Sequence, residues 1–294
     1  MRPLPPTKTG RSGNRDISTL GGLFEKCRRE TWEQSNFRST STALRNARTV
    51  LDYFGSNRLA QDITAGDISE FRAELADAGL APATINRKCA ALSSMLGVAR
   101  EEGVIDKVPK IKWASEEQTR FRYLDDQEER ALLAYWKGHG DQDMYDLCVL
   151  LIDTGARCYS EMMAAHWEFY GQDFVSVTFW HTKTGKPRTI PLTKRSREIL
   201  RRRKGIYGNH SGPFTMVNKN TMRHRWDHMR SVLGFHDVTP HTLRHTCCTR
   251  LILGGADVKR VMTWMGHLSI ATTMRYMQIR PDDLNSLIGL LEAA

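Results

Sequence analysis

The chain of 294 residues carries 43 Lys and Arg against 33 Asp and Glu, with 40% hydrophobic and 26% charged residues. That length accommodates one large domain or two ordinary ones, and the apolar fraction suffices for a core, which excludes a wholly disordered chain. The longest unbroken apolar run, Leu147 to Ile152, is far shorter than the roughly 20 residues that span a bilayer. With a polar, Pro-rich start and no apolar signal core, the expectation is a soluble cytoplasmic protein.

The net charge of +10 is uneven: residues 1–106 hold 15 basic and 13 acidic side chains, and residues 107–294 the other 28 and 20. A basic surplus favours a polyanion, whether DNA, RNA or acidic lipid. The sequence lacks the amphipathic Lys/Trp helix that would favour lipid. Six cysteines (27, 89, 148, 158, 247 and 248) form no CxxC pair, and reduced, buried thiols are expected.

Residues 1–16 are rich in Pro, Gly and basic groups and read as a flexible basic arm. From 17 to 106 the pattern is helical. Leu44, Ala47, Leu51 and Phe54 recur at helical spacing and leave Arg45 and Arg48 on other faces. Asp67 is the expected cap of a helix carrying Ile68, Phe71 and Leu75. A further helix is expected to start at Thr84, after Pro82, with Arg87 and Lys88 in its first turn, where cations do not help the helix dipole. Either DNA contact or simple solvation accounts for them. Residues 107–120, polar and holding Pro109, read as a linker.

A second domain is expected over 121–280. Asp125 or Asp126 caps a helix through Trp136, and a buried helix surrounds Leu147–Ile152. Phe174–Trp180 alternates as a strand, Thr182 to Pro187 has turn chemistry, and Arg188–Leu192 is the return strand. Helices are predicted near 194–204, 218–233, 240–253, 257–265 and 269–277. Residues 281–294 close with a short helix bearing Leu284, Leu287, Ile288 and Leu291. The fold class is therefore mainly α: a helical N-terminal domain, then a mostly helical mixed α/β domain with one small sheet or hairpin.

Some signals carry little chemistry. His224/His228 and His241/His245 are each four residues apart, but neither pair has the adjacent glutamate and third ligand of a zinc hydrolase, so no metal is expected. A GxxxxGK[ST] loop is absent. Seven cations between Lys194 and Lys204, opposed only by Glu198, fit either a solvated helix face or phosphate contact. More specific is Arg157, just past a Thr-Gly turn with Glu161 four residues on. His241 and Arg244 follow, on one helix face behind Pro240, then Gly266-His267, and nine residues later Tyr276.

In this order those residues resemble the tyrosine recombinase (phage integrase) family, whose pattern is Arg, a hairpin Lys, His-x-x-Arg, His or Trp, then a nucleophilic Tyr. The matches are Arg157, Lys183 in HTKTGKPRTIPL, His241 and Arg244 in HTLRHT, His267 in MGH and Tyr276 in MRYMQI, with Glu161 at the family's acidic position. The resemblance covers about 120–280, and the N-terminal half is similar to the family's core-binding domain. It implies a mixed α/β catalytic domain and a site-specific recombinase that forms a covalent 3′-phosphotyrosine and resolves a Holliday junction, with no cofactor. The residue types suit that chemistry. Two guanidiniums fork onto the non-bridging oxygens of a five-coordinate phosphorus, a task lysine does less well. A phenol whose reference pKa is near 10 needs a proton acceptor, and the resemblance offers His241. It assigns Lys183 to the 5′-hydroxyl leaving group and a phosphate hydrogen bond to His267.

The resemblance also implies double-stranded DNA with inverted half-sites as partner, a homotetramer on two sites, docking of 281–294 on a neighbouring subunit, accessory bending or directionality factors, and a nucleoid-associated place of action. Arg45, Arg48, Arg87 and Lys88 are the candidate DNA contacts of the N-terminal half. With only about 16 residues before the helical half, a separate arm-binding domain is expected to be missing. An integrase of a phage or mobile element is the leading reading. The rivals are a Xer-like dimer resolvase, a monomeric type IB topoisomerase, and a silent DNA-binding regulator that leaves DNA unchanged.

Overall fold

The computed structural model describes residues 17–34, 40–115, 122–180, 185–274 and 276. The chain divides into two compact units, Met1–Gln118 and Thr119–Ala294.

The first unit is built on α1 (Leu20–Cys27), α2 (Thr40–Phe54), α3 (Ala65–Asp77) and α4 (Pro82–Glu101). Helix α4 is its spine and packs against the other three, burying Ile85, Cys89, Leu92, Met95, Leu96 and Ala99 among Leu20, Leu23, Ala47, Val50, Ile68 and Phe71. A π-helical turn over Arg28–Trp32 extends α1 and buries Trp32. Gly21 is needed where α1 crosses the chain after α2: its N–H donates to the Ser56 carbonyl at 2.8 Å, and a Cβ would sit 3.0 Å from that oxygen. Two expectations need correction. Thr64, not Asp67, caps α3; Asp67 lies one turn in and returns the bond, its carboxylate accepting from the Thr64 N–H at 2.7 Å. Helix α4 starts at Pro82 rather than Thr84, because proline at the first helical position wastes no donor, so Arg87 and Lys88 fall in its second turn. Residues 107–115 lie along this unit: Val108 and Ile111 pack on its core, and the Asn86 side chain holds the Ala114 backbone through both its oxygen (2.9 Å) and its nitrogen (3.0 Å).

The second unit comprises α5 (Asp126–Gly138), α6 (Gln142–Thr154), a π-helical turn (Cys158–Met162), the strands β1 (Ser176–Phe179) and β2 (Arg188–Pro191), then α7 (Lys194–Tyr207), α8 (Lys219–Leu233), α9 (Pro240–Leu253), α10 (Val258–Met265) and α11 (Ile270–Met274). Asp125 caps α5 in a reciprocal pair with Glu128. Helix α6, apolar on every side from Leu147 to Ile152, is the buried centre against which α5, α7 and α9 pack. The strands pair antiparallel, Val177 opposite Ile190 and Phe179 opposite Arg188. The first strand is shorter than its alternating sequence suggests, because Gln172–Phe174 forms a 3₁₀ turn, with Asp173 and Phe174 at positive φ.

The cation cluster of α7 is largely internal. Arg195 reaches Asp153 (3.0 Å) and Glu129 (3.1 Å), and Arg202 pairs with Asp146. Arg203 is buried against Asp146 (3.0 Å), Asp143 (2.9 Å) and the Phe214 ring. Most of this run thus serves to tie α7 to α6 through carboxylates distant in sequence.

Candidate active site

Two left-handed glycines make the frame. Helix α6 ends at Gly155 (φ +63°), where a Cβ would lie 2.8 Å from Met265 Sδ and 3.1 Å from Cys247 Sγ. Helix α10 ends at Gly266 (φ +66°), where a Cβ would lie 3.0 Å from Arg188 Cδ. Only glycine combines that backbone with so close an approach. Each ending turns a carbonyl towards α9, and Arg244 takes both: Nη1 donates to Gly155 O at 2.5 Å and Nη2 to Met265 O. The guanidinium, 2% exposed, is thereby pinned between two loops.

Arg157 follows the first of these loops and Glu161 holds it. The Glu161 carboxylate accepts from the Arg157 N–H (2.7 Å) and from Arg157 Nη1 (2.5 Å). It also accepts a two-pronged grip from Arg188, Nη1 at 2.8 Å and Nη2 at 2.7 Å. Burial opposes ionisation of Glu161, but the Arg188 and Arg157 bonds and charges prevail and hold its carboxyl below the usual range. Arg188 sits over the Phe179 ring. Its role was not foreseen; the available signal was parity, since in a strand whose Ile190 faces inward Arg188 faces inward too.

Arg157, Arg188 and Arg244 form one electropositive locus with a single carboxylate among them. Burial foremost, then the charges of Arg157 and Arg188, push the Arg244 guanidinium down to about 10, while Glu161 and Tyr276 act the other way. It remains charged near neutrality, so an anion seated there would relieve a standing repulsion.

Tyr276 lies at the edge of this locus, 7% exposed, packed with Cys247, Cys248, Val261 and Met265. Its hydroxyl is 2.5 Å from His245 Nδ1. The His267 ring stacks on the phenol at 6.3 Å between centroids and 12° between planes, and its Nδ1 meets Thr273 Oγ1 at 2.8 Å. Burial, helped by Arg244, Arg157, Arg188 and His241, pushes His267 down to about 4. His245 is pushed down to about 3 by burial, His241, Arg244 and His267. His241 is exposed, its ring edge-on to His245 at 4.6 Å.

Of the residues predicted from sequence, Arg157, Glu161, His241, Arg244, His267 and Tyr276 therefore converge, and His245 and Arg188 join them. Lys183 lies outside the described residues, as do 1–16 and 281–294. In the first unit Arg45, Arg48 and Arg87 are exposed, while half-buried Lys88 donates to Thr49 Oγ1 at 2.7 Å. Among the described residues no group of three or more His, Cys, Asp or Glu is disposed to hold a metal ion, and no helix is long and apolar enough to cross a membrane.

Residues 122–282 match the model of the phage integrase family. The chain belongs to that family, the tyrosine recombinases. Among curated members, the integrase of Escherichia phage P2 is 28% identical over 235 residues, 79% of this chain and 66% of the P2 protein, a little under two thirds of its length. The tyrosine recombinase XerC of Erythrobacter litoralis is 29% identical over 257 residues, 81% of this chain and 82% of that protein. Among solved recombinase structures, the Tn1549 transposon integrase in complex with transposon right-end DNA superposes with a TM-score of 0.76 at 19% identity, over 94% of this chain and all of that one. A lambda integrase dimer bound to a core site gives 0.72 at 16% identity, over 90% and 80%. The mainly α tyrosine-recombinase fold read from the sequence is thus the fold observed.

Proposed function

We propose that this recombinase cleaves and rejoins specific DNA sites, with Tyr276 attacking the scissile phosphodiester to form a covalent 3′-phosphotyrosine. The observation that carries the reading is the convergence of Arg157, Arg244 and His267 on the Tyr276 phenol. Arg157 and Arg244 clamp the non-bridging oxygens, and Glu161 with Arg188 fixes the first of them. His267 is held neutral and offers one hydrogen bond to the phosphate. Lys183, from the hairpin, protonates the departing 5′-oxygen. Because the transition state gathers charge on those oxygens, each preset donor contributes roughly 100–1,000-fold in rate.

The basic surplus and two-unit build suit a clamp on duplex DNA, with Arg45, Arg48, Arg87 and Lys88 as backbone or groove contacts and affinity that falls steeply with salt. The solved relatives described as bound to transposon end or core-site DNA support that partner. A lambda integrase tetramer bound to a Holliday junction supports assembly of four copies on two sites. Docking of 281–294 on a neighbouring copy and accessory bending factors belong to the same proposal. Integration is the leading role. The similarity to XerC over most of its length favours dimer resolution as the second reading.

The test is Tyr276→Phe on a nicked suicide substrate: DNA binding should persist and the covalent complex should vanish. Adducts that persist in this variant would end the assignment. Recombination between unlike paired attachment sites supports an integrase; recombination of directly repeated identical sites supports a resolvase.

A further inference from the structure

Among the cavities and clusters, the contact with most chemical content is that between His245 and the nucleophile. We propose that His245, rather than His241, is the catalytic residue that takes the proton of the Tyr276 hydroxyl as that oxygen attacks phosphorus. This rests on the reading of Tyr276 as nucleophile.

Geometry carries the assignment. His245 Nδ1 stands 2.5 Å from the phenolic oxygen, within direct proton-transfer distance. The ring is on a helix held at several points. Arg244 anchors to Gly155 and Met265, Thr239 and Thr242 form a cap (2.9 Å), and Thr246 accepts from the Leu124 N–H (2.9 Å). The phenol has the His267 ring on one face and the Cys247–Cys248–Met265 cluster around it, so neither partner can drift. His241 is exposed one turn earlier, and its described ring contact is with His245 rather than with the phenol.

Electrostatics make the base conditional on substrate. The groups facing His245 are His241 and Arg244 on α9, His267 after α10, and Tyr276 itself. In the free protein burial and the first three keep the imidazole neutral, with Nδ1 open as an acceptor and the ring hydrogen on Nε2. A phosphodiester on Arg157 and Arg244 neutralises the nearest cation, and the imidazole gains basicity only when DNA is seated. The step balances. The Tyr276 Oη–P bond forms, the P–O5′ bond breaks, the phenolic proton passes to Nδ1, and the 5′-oxygen is protonated by Lys183. On religation the 5′-hydroxyl attacks, its proton returns to the lysine, and the imidazolium reprotonates the tyrosine.

Asn at 245 puts an amide oxygen near the place of Nδ1: it keeps an acceptor but removes the base. In the full chain, His245→Asn should bind DNA within about threefold of wild type while single-turnover cleavage of a suicide substrate falls at least ~100-fold. Its rate should climb about tenfold per pH unit between about pH 7 and about pH 9, where the wild-type rate is flatter, because hydroxide replaces the imidazole. Added imidazole should restore cleavage to His245→Ala. Cleavage by His245→Asn within about threefold of wild type overturns the proposal. So does a slowed rate with an unchanged pH profile and no imidazole rescue, which marks a merely structural residue. Tyr276→Phe in parallel separates the two claims: an adduct lost in that variant but intact in His245→Asn defeats only the role of His245, and an adduct surviving in Tyr276→Phe defeats the nucleophile assignment itself.

Discussion

Replacing Arg188 by Met tests whether the site is held by the Glu161 pairings rather than by the fold alone. Arg188 is 7% exposed and makes two charge-assisted bonds of 2.8 and 2.7 Å to a carboxylate that is itself buried. Methionine reproduces much of the stem, so packing over Phe179 is largely kept and little cavity is created. What is lost is half the charge compensation of Glu161, and breaking one side of a buried pair costs about 3–5 kcal/mol. At the lower end, a unit of this size should melt roughly 6–12 °C lower. The acid limb moves as well. A carboxyl held below its unfolded value contributes stability that is present above that value and is lost as pH falls through the depressed one. Without Arg188 the depression shrinks, and the loss sets in at higher pH. Glu161 also turns its whole charge on Arg157, drawing that guanidinium from the phosphate, so cleavage at saturating DNA should fall about 10–100-fold. Differential scanning fluorimetry across pH and single-turnover cleavage measure the two effects. A variant that melts as wild type and cleaves at the same rate would refute the reasoning.

Arg244→Lys cannot span Gly155 O, Met265 O and a phosphate with one ammonium, and should lower cleavage roughly 100–1,000-fold with a much smaller change in affinity by gel shift. Gly155→Ala forces a side chain into left-handed backbone 2.8 Å from Met265 Sδ and should destabilise by roughly 1–3 kcal/mol in denaturant melts. His245 and His267 stay neutral in the fold but protonate near 6.5 when unfolded, so the unfolded state binds more protons as pH falls. Stability from this pair is complete above about pH 6.5 and should decline steadily towards about pH 4.

Local signals reached a long way. Periodicity and caps located every helix of the second unit within a few residues, and the hairpin was legible from alternation around turn chemistry. The ordered matches named six residues that converge. What escaped depends on partners far along the chain. The carboxylates that absorb the α7 cations lie about 40–60 positions away, at Asp146 and Asp153, so the run looked like a surface. Arg188 meets Glu161 across 27 positions, and His245 meets Tyr276 across 31. Helical spacing put His241 beside Arg244 but could not tell which histidine the returning chain would bring to the phenol. The short first strand reflects positive φ at Asp173 and Phe174, residues whose types do not announce it.

The most direct measurement is the mass of the covalent product. Wild-type protein, a suicide duplex and protease digestion should yield one peptide carrying the 3′-nucleotide remnant, with fragmentation locating the phosphate on Tyr276. A remnant on any other side chain, or DNA cut without attached peptide, would contradict the account.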